Sequence, residues 1–142
     1  GFVMVDVSTG EQAYLARVGE GRPRVGRYVV FVQELERLGV RAVLSATAGA
    51  DVVVIDEIGP MELKSQAFKE AVLRALDSPK PVIATIHHRA ADDPFGRSVL
   101  SRGDCHLVTL TESNRDAAPQ KIIELVLAAV NPSLRDPLFG GG

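Results

Sequence analysis

Apolar positions along the chain change their period as it proceeds. Over residues 2–7 they alternate, with Val3, Val5 and Val7 on one face. After the turn residues Ser8-Thr9-Gly10-Glu11, residues 13–18 return as the second strand of a hairpin. Glu20-Gly21-Arg22-Pro23-Arg24 reads as a loop, and residues 28–32, rich in β-branched and aromatic side chains, as a third strand. The spacing then turns helical. Leu35 and Leu38 stand three apart among charged residues, Gly39 breaks or caps this short helix, and Val43, Leu44 and Ala48 continue a helical face. Residues 52–55 are an uninterrupted apolar run, as in a parallel strand covered on both faces. Ser65 is placed to cap a helix over residues 66–77 that buries Phe68, Ala71, Val72, Ala75 and Leu76. Residues 82–86 are the next buried strand.

Residues 88–98 are polar and read as a loop, with a helical turn or two over residues 97–102. Residues 106–110 read as a further buried strand. The last helix covers residues 119–130, with Pro119 in its first turn and Ile122, Ile123, Val126, Leu127 and Val130 on its apolar face. Strands alternating with helices from residue 52 onward imply an α/β fold with a mostly parallel sheet flanked by helices, preceded by an N-terminal β-hairpin. The expected organisation is one domain over residues 1–131 and a flexible tail over 132–142, native or a linker, that ends in three glycines. The opening Gly1-Phe2-Val3, without an initiator Met and already β-like, is what a fragment or processed product would show.

Composition narrows the classes. With 142 residues, 46% apolar and 24% charged, the chain has material for one packed core. A net charge of -2 lacks the basic balance of a nucleic-acid binder. No apolar run is long enough to span a membrane, and no charged-then-apolar segment opens the chain. Cys105 is the only cysteine, which excludes an internal disulfide, disfavours a zinc site and points to a reducing, cytoplasmic setting. His87 and His88, adjacent on a strand, would face opposite ways, one packed and one solvated.

The chemistry concentrates at Asp56-Glu57, where the apolar run ends. In open parallel sheets ligands sit at the carboxyl ends of strands. An acid there can hold Mg²⁺, which takes one or two carboxylates and keeps several waters. A second acid can orient or deprotonate an attacking water. Asp56 then fits the magnesium residue, direct or through water, and Glu57 the water activator. The bland reading is a strand that ends in acidic residues.

The surrounding residues decide between them. Asp56-Glu57-Ile58-Gly59-Pro60-Met61-Glu62-Leu63, with Lys64-Ser65 and Phe68, resembles the Walker B segment of the THEP1-like (cancer-related) nucleoside-triphosphatases. Arg24-Val25-Gly26-Arg27-Tyr28 and Lys80-Pro81-Val82-Ile83-Ala84-Thr85-Ile86 resemble further segments of that family, in order. So does Thr109-Leu110-Thr111-Glu112-Ser113-Asn114-Arg115, with Ser113 inserted into the family's Thr-x-Glu-Asn-Arg wording. The resemblance covers residues 1–130. It implies a RecA-like P-loop fold and Mg²⁺-dependent hydrolysis of ATP, GTP and other nucleoside triphosphates with loose base selectivity.

The same resemblance suggests outer roles, each with a plainer alternative. Gly59 and Glu62 would support Glu57, or Glu62 is a solvated acid at a helix start. Arg24 and Arg27 would meet phosphate, or are surface arginines on a loop. Asn114 and Arg115 would contact the base, or Asn114 shapes its loop and Arg115 is solvated. His87 would sense the γ-phosphate, or simply packs.

One part of the family pattern is absent. The phosphate-binding loop needs Gly, four residues, then Gly-Lys and Ser or Thr. None of the four lysines here, Lys64, Lys69, Lys80 and Lys121, follows a glycine. The first P-loop strand and helix are therefore missing from residues 1–142, and without them the chain alone is expected to be inactive. A nucleotide or nucleoside kinase and a non-catalytic nucleotide-binding or interaction module are the rival readings. The sequence sets no oligomeric state.

Overall fold

The computed structural model describes residues 1–131. It begins with an antiparallel sheet of order β1-β2-β4-β3, made of β1 (Phe2–Val5), β2 (Gln12–Val18), β3 (Arg24–Val25) and β4 (Tyr28–Val30). The β1–β2 hairpin forms as its turn residues dictate. The Asp6 carboxylate accepts from the Ser8 N–H at 3.0 Å and the Ser8 hydroxyl at 2.8 Å, and the Asp6 carbonyl accepts from the Gly10 N–H at 2.7 Å. Strand alternation then turns Met4 onto the core and leaves Val3 and Val5 exposed, and Val7 is exposed in the turn that follows. Arg24, the last residue of the segment read as a loop, pairs with β4 instead, together with Val25.

The next helix runs unbroken through α1 (Val32–Glu34), a π-helical segment Leu35–Val40 and α2 (Arg41–Gly49). Gly39 does not stop it. A Cβ at Gly39 would come within 2.9 Å of Leu35 Cδ1 and 3.7 Å of Met4 Sδ, so the glycine serves close packing beneath β1.

β5 (Val53–Ile58), α3 (Gln66–Asp77) and β6 (Val82–Ile86) form a parallel strand–helix–strand unit, with Val53 opposite Val82 and Ile55 opposite Ala84. Ser65 caps α3 as expected: its hydroxyl accepts from the Phe68 N–H and donates to Glu36, both at 3.0 Å. Phe68, Ala71, Val72 and Ala75 face inward and join Leu15, Val30, Leu35, Val53 and Ile58 in one core, where each large apolar side chain contributes about 1.5–3 kcal/mol. The cover on β5 is one-sided among the described residues. Val53 and Ile55 are buried, but Val54 is 66% exposed.

The polar stretch after β6 is more ordered than its composition implies. It forms a 3-10 segment, His88–Asp92, and α4 (Pro94–Leu100). The Asp93 carboxylate accepts from the Phe95 N–H at 2.8 Å and Pro94 occupies the first turn, a start signal that the surrounding polarity obscures. The 3-10 segment also corrects the histidine reading. His87 and His88 lie beyond β6, and their rings stack at 4.2 Å instead of pointing apart.

The described residues divide into two compact units, Gly1–Ser101 and a second from Arg102 onward. In the second unit, residues 106–110 form no strand. Leu107 and Leu110 are both 61% exposed, and no described segment pairs with this run. An apolar run becomes a strand only where another strand satisfies its backbone groups. α5 (Ala118–Val130) follows, with Pro119 in its first turn as expected, but Ile123, Leu127 and Val130 of its apolar face are exposed. Residues 132–142, read as a flexible tail, lie outside the described residues. No described helix is long and apolar enough to cross a membrane.

Candidate active site

The site is built where β5 ends. Ile55 pairs with Ala84 and Ile58 with Ile86, so β5 carries one more residue than β6 over this interval. The extra residue is a bulge, a device that re-aims side chains. Asp56 and Glu57 occupy it and face different surroundings. Asp56 is exposed, and its Oδ1 accepts from the Thr85 hydroxyl of β6 at 2.6 Å. Glu57 is half-buried and lines a cleft of about 370 Å³.

One wall of that cleft is apolar, with Phe2, Leu15, Val25 and Met61, and the other carries Glu57, Glu62, His87, His88 and Arg89. Gly59 ties the two glutamates together. A Cβ there would lie 2.9 Å from Glu57 Oε1 and 3.1 Å from Glu62 Oε2, so both carboxyl groups approach the same point. A 3-10 turn, Glu62–Lys64, fixes Glu62, with the Leu63 N–H donating to the Gly59 carbonyl at 3.0 Å. Glu62 is only 9% exposed. Burial pushes its carboxyl up to about 7, and the charges of Glu57 and Asp56 push the same way. The backbone N–H groups of Glu62 and Gly59 pull it down in part.

His87, just after β6, lines the cleft. Its N–H donates to the Ile58 carbonyl at 3.0 Å, and its Nδ1 accepts from the Arg89 N–H at 3.0 Å. It is therefore held at the cleft.

The other residues singled out from the sequence have partners of their own. Arg24 donates to the Gly19 carbonyl at 2.7 Å, and Arg27 lies over the Tyr28 ring at 5.3 Å; neither lines the cleft. Asn114 accepts from the Thr111 N–H at 2.8 Å and donates to the Thr109 carbonyl at 2.9 Å, so its amide shapes its own loop. Arg115 is exposed beside Asp116. Both belong to the second compact unit.

Comparisons against known proteins give the family. The family described as NTPase matches residues 1–123. The chain belongs to this nucleoside-triphosphatase family. It is 53% identical over 131 residues to the nucleoside-triphosphatase THEP1 of Thermofilum pendens, covering 92% of this chain and 72% of that protein. Against the THEP1 of Methanopyrus kandleri it is 44% identical over 127 residues, covering 89% and 70%. The crystal structure of THEP1 from Aquifex aeolicus superposes with a TM-score of 0.75 at 29% identity, covering 84% of this chain and 73% of that one. By family the chain is a hydrolase, and its parallel β5–β6 unit with flanking helices is that of the NTPase fold.

Within this NTPase the structure assembles Asp56, Glu57, Gly59 and Glu62 as the sequence grouped them, and adds Thr85, His88 and Arg89. Thr85 was visible as a strand residue, but pairing it with Asp56 requires the register. His88 and Arg89 were hidden in the polar stretch. The donor chemistry also suits Mg²⁺: Asp56 is an accessible hard-oxygen carboxylate whose Oδ2 is not engaged by Thr85. No group of three or more His, Cys, Asp or Glu residues is arranged to hold a metal among the described residues, and a magnesium site on one carboxylate, waters and phosphates needs none.

Proposed function

We propose that this chain carries the water-activating half of a Mg²⁺-dependent nucleoside-triphosphatase site. The observation that carries this reading is the split between the two acids. Asp56 faces an open surface beside Thr85, and Glu57 faces the cleft beside Glu62. Asp56 is the residue to hold the metal, which when bound would neutralise charge on the β- and γ-phosphate oxygens. Glu57 orients a water in the cleft and accepts its proton as the water oxygen attacks the γ-phosphorus. His87, fixed at the cleft wall, is placed to contact the phosphoryl group. Loose base selectivity, with ATP and GTP as the expected substrates, is what the family resemblance implies. Arg24, Arg27, Asn114 and Arg115 remain candidates for the rest of the nucleotide, and a cytoplasmic setting remains the reading from the lone Cys105.

Residues 1–142 contain no phosphate-binding loop, so this reading includes their inactivity alone. The test is phosphate release from ATP and GTP with Mg²⁺. The chain alone should release none. Joined to a strand–loop–helix segment bearing Gly-x-x-x-x-Gly-Lys-Thr it should turn over, and Glu57→Gln in that form should slow it by about 10²–10⁴-fold. Turnover by 1–142 alone that Glu57→Gln removes would refute the inactivity, and turnover indifferent to Glu57 would refute the site.

The cleft itself favours a second reading. Its volume of about 370 Å³ far exceeds what one water needs, roughly 30 Å³. A phosphoryl acceptor such as a nucleoside would fit, as a kinase requires. Added nucleosides that take up the phosphoryl group at the expense of free phosphate would support the kinase; phosphate release indifferent to them supports the hydrolase.

A further inference from the structure

Glu62 is the buried carboxyl of the site, yet it makes no ion pair with a lysine or arginine among the described residues. A buried carboxylate without a cation partner is costly, and a protonated one is far less so. The groups that share its surroundings are Glu57 and Asp56 from β5, and His87, His88 and Arg89 from the segment after β6. The nearest is Glu57, whose Oε1 meets the same point above Gly59 that Glu62 Oε2 meets.

We propose that Glu62 is a positioning residue that holds a proton in the resting site, so that Glu57 can keep its carboxylate in the space above Gly59. Two charges at that point would repel and drive Glu57 away from the cleft. Gly59 makes the arrangement possible, because any side chain there would occupy the shared space. This proposal rests on the reading of Glu57 as the water activator. In that reaction the water oxygen bonds to the γ-phosphorus, the bond to the departing nucleoside diphosphate breaks, and the water's proton goes to Glu57 and then to solvent. The Glu62 proton is not consumed.

The test needs neither nucleotide nor turnover. In the 142-residue chain labelled with ¹⁵N, the Gly59 amide resonance should shift with pH at a midpoint near 7. Glu62→Gln, which keeps the shape of the protonated acid, should hold that resonance at its low-pH position throughout. Glu57→Gln, which removes the neighbouring charge, should lower the midpoint by about half a unit or more. A Gly59 shift confined to the ordinary carboxylate range near about 4.3 would overturn the proposal. So would a midpoint near 7 that survives in Glu62→Gln, since it would then belong to another group, or a midpoint that Glu57→Gln leaves in place. Failure of the hydrolysis reading would appear only in phosphate release and leave these titrations as they are.

Discussion

Residues 52–55 (Val52-Val53-Val54-Ile55) and 106–110 (His106-Leu107-Val108-Thr109-Leu110) are two short runs that both read as buried strands and have opposite fates. The first leads into β5, paired with β6 and seated on the core through Val53 and Ile55. The second pairs with no described segment and exposes Leu107 and Leu110. Their neighbouring polar residues follow suit. After the first run, Asp56 meets Thr85 of the neighbouring strand, 29 residues on, while Glu57 meets Glu62 across Gly59 within the turn that follows. Asn114, after the second, spends its amide on Thr109 and Thr111 a few residues away. An apolar run supplies the possibility of a strand. Its partners supply the strand, and with it a fixed place for whatever follows.

That contrast can be broken or sharpened by substitution. The largest effect is expected at Glu57→Gln, with the hydrolysis rate down by about 10²–10⁴-fold in a form that carries a phosphate-binding loop. The same assay on Asn114→Ala measures how far the second segment serves the reaction.

Next comes the packing difference. Ile58, 1% exposed, should cost about 2–5 kcal/mol as Ile58→Ala in urea unfolding. Leu107→Ala, at a 61% exposed position, should stay within about 0.5 kcal/mol. Equal losses at both sites would mean that residues 106–110 are packed in solution.

The third effect is a pH dependence. The Glu62 carboxyl lies near 7 when folded, above its unfolded range near about 4.3. The folded chain thus binds this proton more tightly than the unfolded one. The resulting stability is complete below the unfolded value and is lost as pH rises through about 7. Glu62→Gln should remove this part of the decline, so the variant gains on the order of 1–3 kcal/mol on the wild type between about pH 5 and 8. Parallel stability curves for the two proteins would remove Glu62 as a buried proton holder.

The smallest effect is local. Asn114→Ala deletes two hydrogen bonds of one loop and should cost about 1 kcal/mol, read as faster exchange of the Thr111 amide with β5 protection unchanged.

Much of the architecture was legible because it is written locally. The β1–β2 turn, the Ser65 cap, the inward face of α3 and the place of Pro119 each depend on residues close in sequence. Other features depend on neighbours distant in sequence: residues 106–110 form no strand because no described segment pairs with them, and the exposure of Val3 and Val5 depends on which face of β1 packs on the core. The order in residues 88–100 was missed for another reason: the Asp93-Pro94 start lies inside a polar stretch whose composition outweighed it.

The sequence by itself determined the family, the acids that end β5 and the absence of a phosphate-binding loop from residues 1–142, because motifs are contiguous and can be read without coordinates. Only the tertiary structure decided how those acids are used. It turned Asp56 to Thr85 and Glu57 to the cleft, brought Glu62 against Glu57 across Gly59, and left Arg24 and Arg27 outside. Register and burial are properties of pairs of segments, and the approach of Glu62 to Glu57, close as they are in sequence, depends on the turn between them and on what buries it.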